Sequence, residues 1–336
     1  MNYEQDIYNR YRDIETLKKR LESKNVKTDN YTNIILSNIS YSNLIKGLKK
    51  TKFVNEDGKF LEEVSCDDIL NLFILDKDFS NFIFKYILYV ETFLNSNLSI
   101  IIASNFGSHS SQKKEDIKNP SDFLYVNNYA NTQDKIKTLY KLKKRIQKPL
   151  EGTSMSYFKK NKTYYPPWVL FNSIYLSDTI SIIKILKSIH KTELITKMLP
   201  HQSILSDEDK KNMFLMILNC IKKYRNHLAH PNLILKKQVN SDEFLPFSQI
   251  QEYTNNKLIN SNVNKRYKES VIYSLLVCLT VIINSNNLIK TDFLKDLFII
   301  IINKNKDFKF MEYDLYEIFN IPNTIYEDIL RYFSSI

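Results

Sequence analysis

Glycine is scarce in this chain. Only four of its 336 residues are glycine, and none follows Gly152. The chain beyond that point therefore has no glycine-based phosphate loop, dinucleotide-binding turn or primed hairpin turn. This excludes nucleotide-binding enzymes of those kinds.

Cysteine is also scarce, with Cys66, Cys220 and Cys278 odd in number and never in a CxxC pair. Neither a disulfide framework nor a thiolate zinc site is expected. The N-terminus, MNYEQDIYNRYRD, is polar and acidic, unlike a secretory signal. The longest nearly unbroken apolar stretch, 271–283, is too short to span a bilayer. We expect a cytoplasmic protein without a membrane span.

Apolar residues are plentiful, at 43% of the chain, and this excludes a disordered protein. They recur at helical spacing almost everywhere, which predicts an all-α fold. Ser206 is the predicted N-cap of one helix, and Pro231 is expected to end it. Turn residues at 51–60 predict a small hairpin. The predicted helices cover 3–24, 31–49, 67–75 leading into 79–104, 121–148, 168–198 with Ser177 as a candidate break, 207–229, 265–283, 291–303 and two short segments flanking Pro322.

Positive charge is concentrated in one segment. The chain has 48 Lys and Arg against 37 Asp and Glu, and the segment 135–162 holds ten of the basic residues with a single acid, Glu151. The ten are Lys135, Lys137, Lys141, Lys143, Lys144, Arg145, Lys148, Lys159, Lys160 and Lys162. They form a candidate phosphate-binding surface, although an ordinary exposed helix face has the same pattern. The interleaved aromatic residues, typical of surfaces that stack unpaired bases, are Tyr140, Tyr157, Phe158, Tyr164 and Tyr165.

One arginine falls on an apolar helix face. On the helix predicted from 207 to about 229, Arg225 lies near the middle of an apolar stripe. The stripe comprises Phe214, Ile217, Leu218, Ile221 and Leu228. A buried unpaired guanidinium is costly, so Arg225 must meet a carboxylate or line a site for an anion. Glu91 is the candidate carboxylate, and an ordinary salt bridge between the two is one reading.

His230 follows five residues after Arg225, which on an ideal helix separates the two side chains by roughly 140°. Pro231 disfavours the α conformation at His230, so this side chain can leave the helical direction. Asn226, four residues before His230, is expected to orient the imidazole. An imidazole can exchange a proton with a ribose 2′-OH or a leaving 5′-oxygen near neutral pH, and an arginine can stabilise charge on the phosphoryl oxygens. These groups suit RNA cleavage without a metal.

The pattern Arg225-Asn226-x-x-x-His230 resembles the signature of the HEPN superfamily of all-helical ribonucleases. Residues 10–235 more broadly resemble the abortive-infection AbiD/AbiF branch of bacterial phage-defence proteins. The matching pieces are the 36–41 segment LSNISY, Val90-Glu91, Pro167-Trp168, and Tyr224 to Pro231. The chain departs from its relatives after Asp76, where Lys77-Asp78-Phe79 stands in place of a Leu-Arg pair.

This resemblance implies a HEPN-type helical bundle with additional terminal helices. The implied regions are an N-terminal part (1–65), a core (66–285) with a basic insertion (107–167), and a C-terminal extension (286–336). Because the chain has a single copy of the motif, the resemblance implies a homodimer with a composite site. The implied function is phage defence by a metal-independent endoribonuclease that leaves 2′,3′-cyclic phosphate ends and binds a structured small noncoding RNA.

Residue roles follow from the same resemblance. Arg225, His230 and Asn226 are the expected catalytic residues. Glu91 is expected to pair with Arg225 without contacting the substrate. His227 and the ten basic residues of the 135–162 segment are expected to contact RNA, and no cofactor or metal is expected. Two alternatives stay open: a noncatalytic RNA-binding protein that uses the same Arg and His to hold phosphate, and a helical scaffold in which the motif serves folding only.

Overall fold

The chain folds as an all-α protein, as predicted. A computed structural model describes residues 13–49, 51–199, 204–230, 233–235, 245–259 and 269–335. The helices of the first half are α1 (Ile14–Glu22), α2 (Asn30–Asn38), α3 (Cys66–Phe106), α4 (Lys135–Gln147), α5 (Ser154–Asn161) and α6 (Pro167–Phe171). Those of the second half are α7 (Leu176–Ile185), α8 (Ser188–Met198), α9 (Asp207–Leu228), α10 (Phe247–Tyr253), α11 (Val271–Ile283), α12 (Asn287–Phe298), α13 (Leu315–Phe319) and α14 (Ile325–Phe333).

Short irregular elements join these helices. Strand β1 (Val26–Lys27) pairs in parallel with β2 (Val64–Ser65), and β3 (Lys309–Phe310) pairs antiparallel with β4 (Tyr313–Asp314). Single π turns occupy Ser42–Lys46 and Ile299–Lys304, and 3₁₀ turns occupy Lys114–Lys118 and Val126–Asn128. The hairpin predicted at 51–60 is present as one antiparallel bridge between Val54 and Phe60.

Helix α3 organises the core. It runs unbroken for 41 residues from a capping box formed by Ser65 and Asp68, and it packs against α6, α8, α9, α11 and α12. By length and composition it could cross a membrane. Its apolar face is instead covered by these neighbouring helices, and one hydrophobic cluster extends from Leu21 to Phe333. Helix α3 therefore serves as the central core helix that its apolar spacing predicts.

Three predicted helices are wrong in extent. The helix predicted over 31–49 ends at Asn38, where the backbone of Ile39 is extended, and a π turn follows at Ser42–Lys46. The segment 121–134 is not α-helical, because the carboxylate of Asp122 accepts from the amide of Leu124 and makes a turn there; helix α4 begins only at Lys135. The predicted helix over 168–198 is three helices, α6 to α8, separated by turns at 172–175 and 186–187. Helices α5 and α10 are not among the predicted helices. The predictions for residues 3–12 and 265–268, and for Pro231, lie outside the described residues.

A buried ion pair joins α4 to the loop that follows α3. Lys143 and Asp122 are both fully buried, and their charged groups are in direct contact. The ammonium of Lys143 also donates to the hydroxyl of Ser110 at 3.0 Å and to the carbonyl of Ser111 at 3.0 Å. The Asp122 carboxylate in turn accepts from the amide of Ser111 at 3.0 Å. Every charged group is therefore paired, as burial requires.

Replacing Lys143 with Ala should destabilise the fold by about 3 kcal/mol, because Asp122 would remain buried without its counter-charge. The free energy of unfolding in urea measures this. The control is Lys144→Ala, which removes an exposed lysine from the same helix and should change stability by less than about 0.5 kcal/mol. Equal effects of the two changes would contradict the structural role of Lys143.

Candidate active site

The candidate site lies at the C-terminal end of α9. Ser206 caps the start of this helix by accepting from the amide of Asp209 at 3.1 Å, as predicted. The helix ends at Leu228, and the amide of His230 donates to the carbonyl of His227 in a final turn. This turn places Arg225 in the last helical turn and His230 just beyond it.

Arg225 is both paired and accessible. Its Nε donates to Oε1 of Glu91 on α3 at 3.1 Å, and its guanidinium carbon lies 5.7 Å from the centre of the Phe84 ring. The side chain of Arg225 is 34% exposed and that of Glu91 is 17% exposed. Glu91 therefore engages Nε and leaves the outer part of the guanidinium near solvent, where an anion can reach it.

The environment of Glu91 opposes its ionisation. Burial raises the pKa of the Glu91 carboxyl above its ordinary value, and the positive charge and hydrogen bond of Arg225 act in the opposite direction. Arg225 thus favours the charged form of the carboxylate, and the carboxylate orients Arg225. The pair positions the guanidinium at the helix end.

The remaining motif residues take different places. His230 is exposed, and His227 is half-buried with Nε2 at 3.3 Å from the carbonyl oxygen of Leu233. The amide oxygen of Asn226 accepts from Nη1 of Arg225 at 3.3 Å. Asn226 therefore contacts Arg225 rather than the imidazole of His230, and the expectation that it orients this imidazole is wrong for this conformation. The neighbouring guanidinium competes for the same amide oxygen.

A second carboxylate of α3 holds the chain just after the motif. Asp76 is fully buried and accepts from the backbone amides of Ile234 at 3.1 Å and Leu235 at 2.9 Å. Lys77 lies 3.5 Å from the same carboxylate. Burial raises the pKa of Asp76, and the two amide bonds and Lys77 oppose that shift. Asp76 thereby ties the segment that follows His230 to the core helix.

Sequence reasoning noted Asp76 only as the point where the chain departs from its relatives. A usable signal was present, because Ile69, Leu72, Asp76, Phe79 and Ile83 follow one another at three- and four-residue spacing. A carboxylate in such an apolar stripe must find donors, by the same reasoning that singled out Arg225. What the stripe does not reveal is which segment supplies those donors.

The basic segment 135–162 divides into internal and surface residues. The prediction that Lys143 contacts RNA is wrong, because its side chain is fully buried against Asp122. Lys141 and Arg145 both pair with the buried carboxylate of Asp178, and Arg145 also stacks on Tyr175. Lys135 is half-buried. The exposed residues are Lys137, Lys141, Lys144, Lys148, Lys159, Lys160 and Lys162.

The described residues contain no cluster of three or more His, Cys, Asp or Glu side chains able to hold a metal ion. The three cysteines are free and buried. The end of α9 carries a guanidinium that is paired with a carboxylate, and the imidazoles of His227 and His230 follow in the chain.

The fold and this helix end define a class: an all-α protein with an accessible Arg and His at the end of a core-packed helix. The chain belongs to the family of Abi-like proteins, whose sequence pattern matches residues 34–236. The matched region includes Asp76, Glu91, Arg225 and His230. No curated protein and no solved structure matches the chain. Family membership associates the chain with abortive-infection defence against phage.

Replacing Arg225 with Ala should produce a pH-dependent loss of stability. Without the guanidinium, the pKa of Glu91 rises further, so the folded protein binds this proton more tightly than the unfolded chain. The loss should therefore be small below about pH 4, where both states are protonated, and should grow as pH rises through the folded-state pKa. Near pH 7 we expect on the order of 1 kcal/mol, because solvent reaches the pair. Urea unfolding at several pH values measures this.

Glu91→Gln in the Arg225→Ala background should remove the pH-dependent part of the loss. The control Arg20→Ala removes an exposed arginine of α1 and should cause no pH-dependent loss over the same range. A loss for Arg225→Ala that is the same at acidic and neutral pH would show that Glu91 does not depend on Arg225.

Replacing Asp76 with Asn should release the segment after His230. An amide side chain has one acceptor oxygen and cannot satisfy both backbone amides as the carboxylate does. We expect a loss of about 1–3 kcal/mol and faster hydrogen exchange at the amides of Ile234 and Leu235. The control is Asp78→Asn, whose partly exposed carboxylate pairs with Lys304. Unchanged exchange at both amides would contradict this role.

Proposed function

We propose that this protein acts in abortive-infection defence as a metal-independent endoribonuclease with HEPN-type chemistry. The observation that carries the proposal is the end of α9, where a partly exposed Arg225 is oriented by Glu91 and an exposed His230 follows five residues later, just beyond the helix. A scaffold that used the motif only for folding would need neither group to face solvent.

The proposed reaction is a transesterification within RNA. The ribose 2′-oxygen attacks the adjacent phosphorus, the bond from phosphorus to the 5′-oxygen breaks, and a 2′,3′-cyclic phosphate forms. The proton of the 2′-OH passes to a base, and the departing 5′-oxygen receives a proton from an acid. His230 supplies one of these proton transfers, and Arg225 stabilises the negative charge on the phosphoryl oxygens.

The second proton transfer is the reason to propose a homodimer. The chain has one copy of the motif, so a two-fold axis at the end of α9 would add the same Arg and His from a second copy. Asn226, bonded to Arg225, would then act by orienting the guanidinium. We further propose that the protein works in the cytoplasm and binds a structured small noncoding RNA through its exposed lysines and His227.

Replacing His230 with Ala should abolish cleavage of RNA while RNA binding is retained, because the imidazole moves protons and contributes little to phosphate affinity. Gel analysis of a 5′-labelled RNA measures cleavage, and filter binding measures affinity. The control Arg331→Ala should cleave as the wild type does. Replacing the ribose 5′ to the cut with deoxyribose should also abolish cleavage, because the nucleophile is lost.

Cleavage should persist in EDTA, and the product should carry a 2′,3′-cyclic phosphate. If the wild-type protein binds RNA and never cleaves it, alone or in phage-infected cells, the noncatalytic RNA-binding alternative is correct. If cleavage stops in EDTA and returns with a divalent ion, the proposed proton-transfer mechanism is wrong.

A further inference from the structure

Four aromatic rings form a continuous row on the surface of the basic insertion. The rings of Tyr157 and Phe158 are 6.1 Å apart, those of Phe158 and Tyr164 are 6.3 Å apart, and those of Tyr164 and His109 are 5.9 Å apart. The last two are stacked, with 27° between their planes. The row joins the middle of α5 and the segment after this helix to the loop that follows α3.

Three of the four rings face solvent. Tyr157 is 58% exposed, Tyr164 is 40% exposed and His109 is exposed, whereas Phe158 packs partly against the hydrophobic core. Tyr165, which sequence reasoning grouped with these residues, is buried and does not belong to the row. His109 had no place in the sequence-based interpretation, since it is separated from Tyr164 by more than fifty positions in the chain.

The row is held in place from below. The amide of Tyr165 donates to the carbonyl of Ser110 at 2.9 Å, which fixes the segment of Tyr164 beside the loop of His109. The hydroxyl of Ser110 accepts from the buried ammonium of Lys143 at 3.0 Å. These contacts order the row before any ligand binds. Binding would therefore cost little additional conformational entropy on the protein side.

The charges beside the row favour an anionic partner. Exposed lysines stand next to the rings in sequence: Lys159, Lys160 and Lys162 around Phe158 and Tyr164, and Lys113 and Lys114 after His109. The acids nearest in sequence are Glu115, Asp116 and Glu151, and Asp116 is bonded internally to the hydroxyl of Ser111. Exposed ring faces with flanking cations match the requirements of unpaired bases and their phosphates. In a duplex, the bases are stacked on one another, so their faces are not available to the rings.

We propose that the row His109–Tyr164–Phe158–Tyr157 is a stacking site for unpaired bases of single-stranded RNA. The proposal rests on the proposed function in taking RNA as the ligand, but it concerns where and how RNA is bound, not how it is cut. Each exposed ring offers one face to a base, and the lysines contact the intervening phosphates. Such a site accepts different base sequences and discriminates against duplexes.

The test measures the affinity of a fluorescein-labelled 12-nucleotide single-stranded RNA by anisotropy, in the His230→Ala background so that the probe stays intact. Tyr164→Ala and His109→Ala should each weaken binding about tenfold, because one base–ring contact is lost. Tyr164→Phe should restore affinity, since it keeps the ring. The control Tyr31→Ala removes an equally exposed tyrosine of α2 and should have no effect. Thermal melts confirm that each variant is folded.

A blunt-ended RNA duplex of the same length serves as the second probe, and its affinity should be nearly the same for all variants. If single-stranded RNA binds equally well to Tyr164→Ala, His109→Ala and their parent, the row is not an RNA site, and a face for a partner protein becomes the alternative. Equal weakening for single strand and duplex would also overturn the proposal. The proposed function is tested separately, by cleavage. If the wild-type protein cleaves RNA and the His230→Ala variant does not, the proposed function stands whether or not the aromatic row binds RNA.

Discussion

The ion pair between Arg225 and Glu91 is the interaction on which the candidate site depends. An arginine on a core-facing helix must be neutralised, and a carboxylate on the neighbouring central helix does so from one side only. The guanidinium is therefore held in one orientation while part of it stays near solvent. The ion pair therefore does two things: it neutralises a partly buried guanidinium, and it fixes the direction in which that guanidinium points.

Helix α3 acts on the site at two points. Glu91 orients Arg225, and about four turns earlier Asp76 binds the backbone just beyond His230. The two carboxylates thus tie both Arg225 and the segment after His230 to the same helix. The long uninterrupted length of α3 is what allows one element to reach both points.

The basic segment 135–162 shows how a group of similar residues can divide between the interior and the surface of the protein. Lys143 lies inside, paired with Asp122, and its neighbours Lys141 and Arg145 meet Asp178. Lys159, Lys160 and Lys162 are exposed, and in sequence they lie next to the row of aromatic rings that the buried pair helps to hold. Buried Lys143 helps to position the exposed aromatic row, because it donates to the hydroxyl of Ser110 in the loop that carries His109.

Local sequence sufficed for what depends on neighbours along one chain segment: the all-α class from helical spacing, the start of α9 from Ser206, and the inward position of Arg225 from its apolar stripe. It failed at 121–134 and within 168–198, where turns and distant partners outweigh apolar periodicity. Only the tertiary structure decided that Asp76 meets the amides of Ile234 and Leu235, that Lys143 is buried, and that His109 stacks on Tyr164. Each of these is a pairing between residues far apart in the chain, and periodicity shows which face a side chain takes without showing which segment covers it.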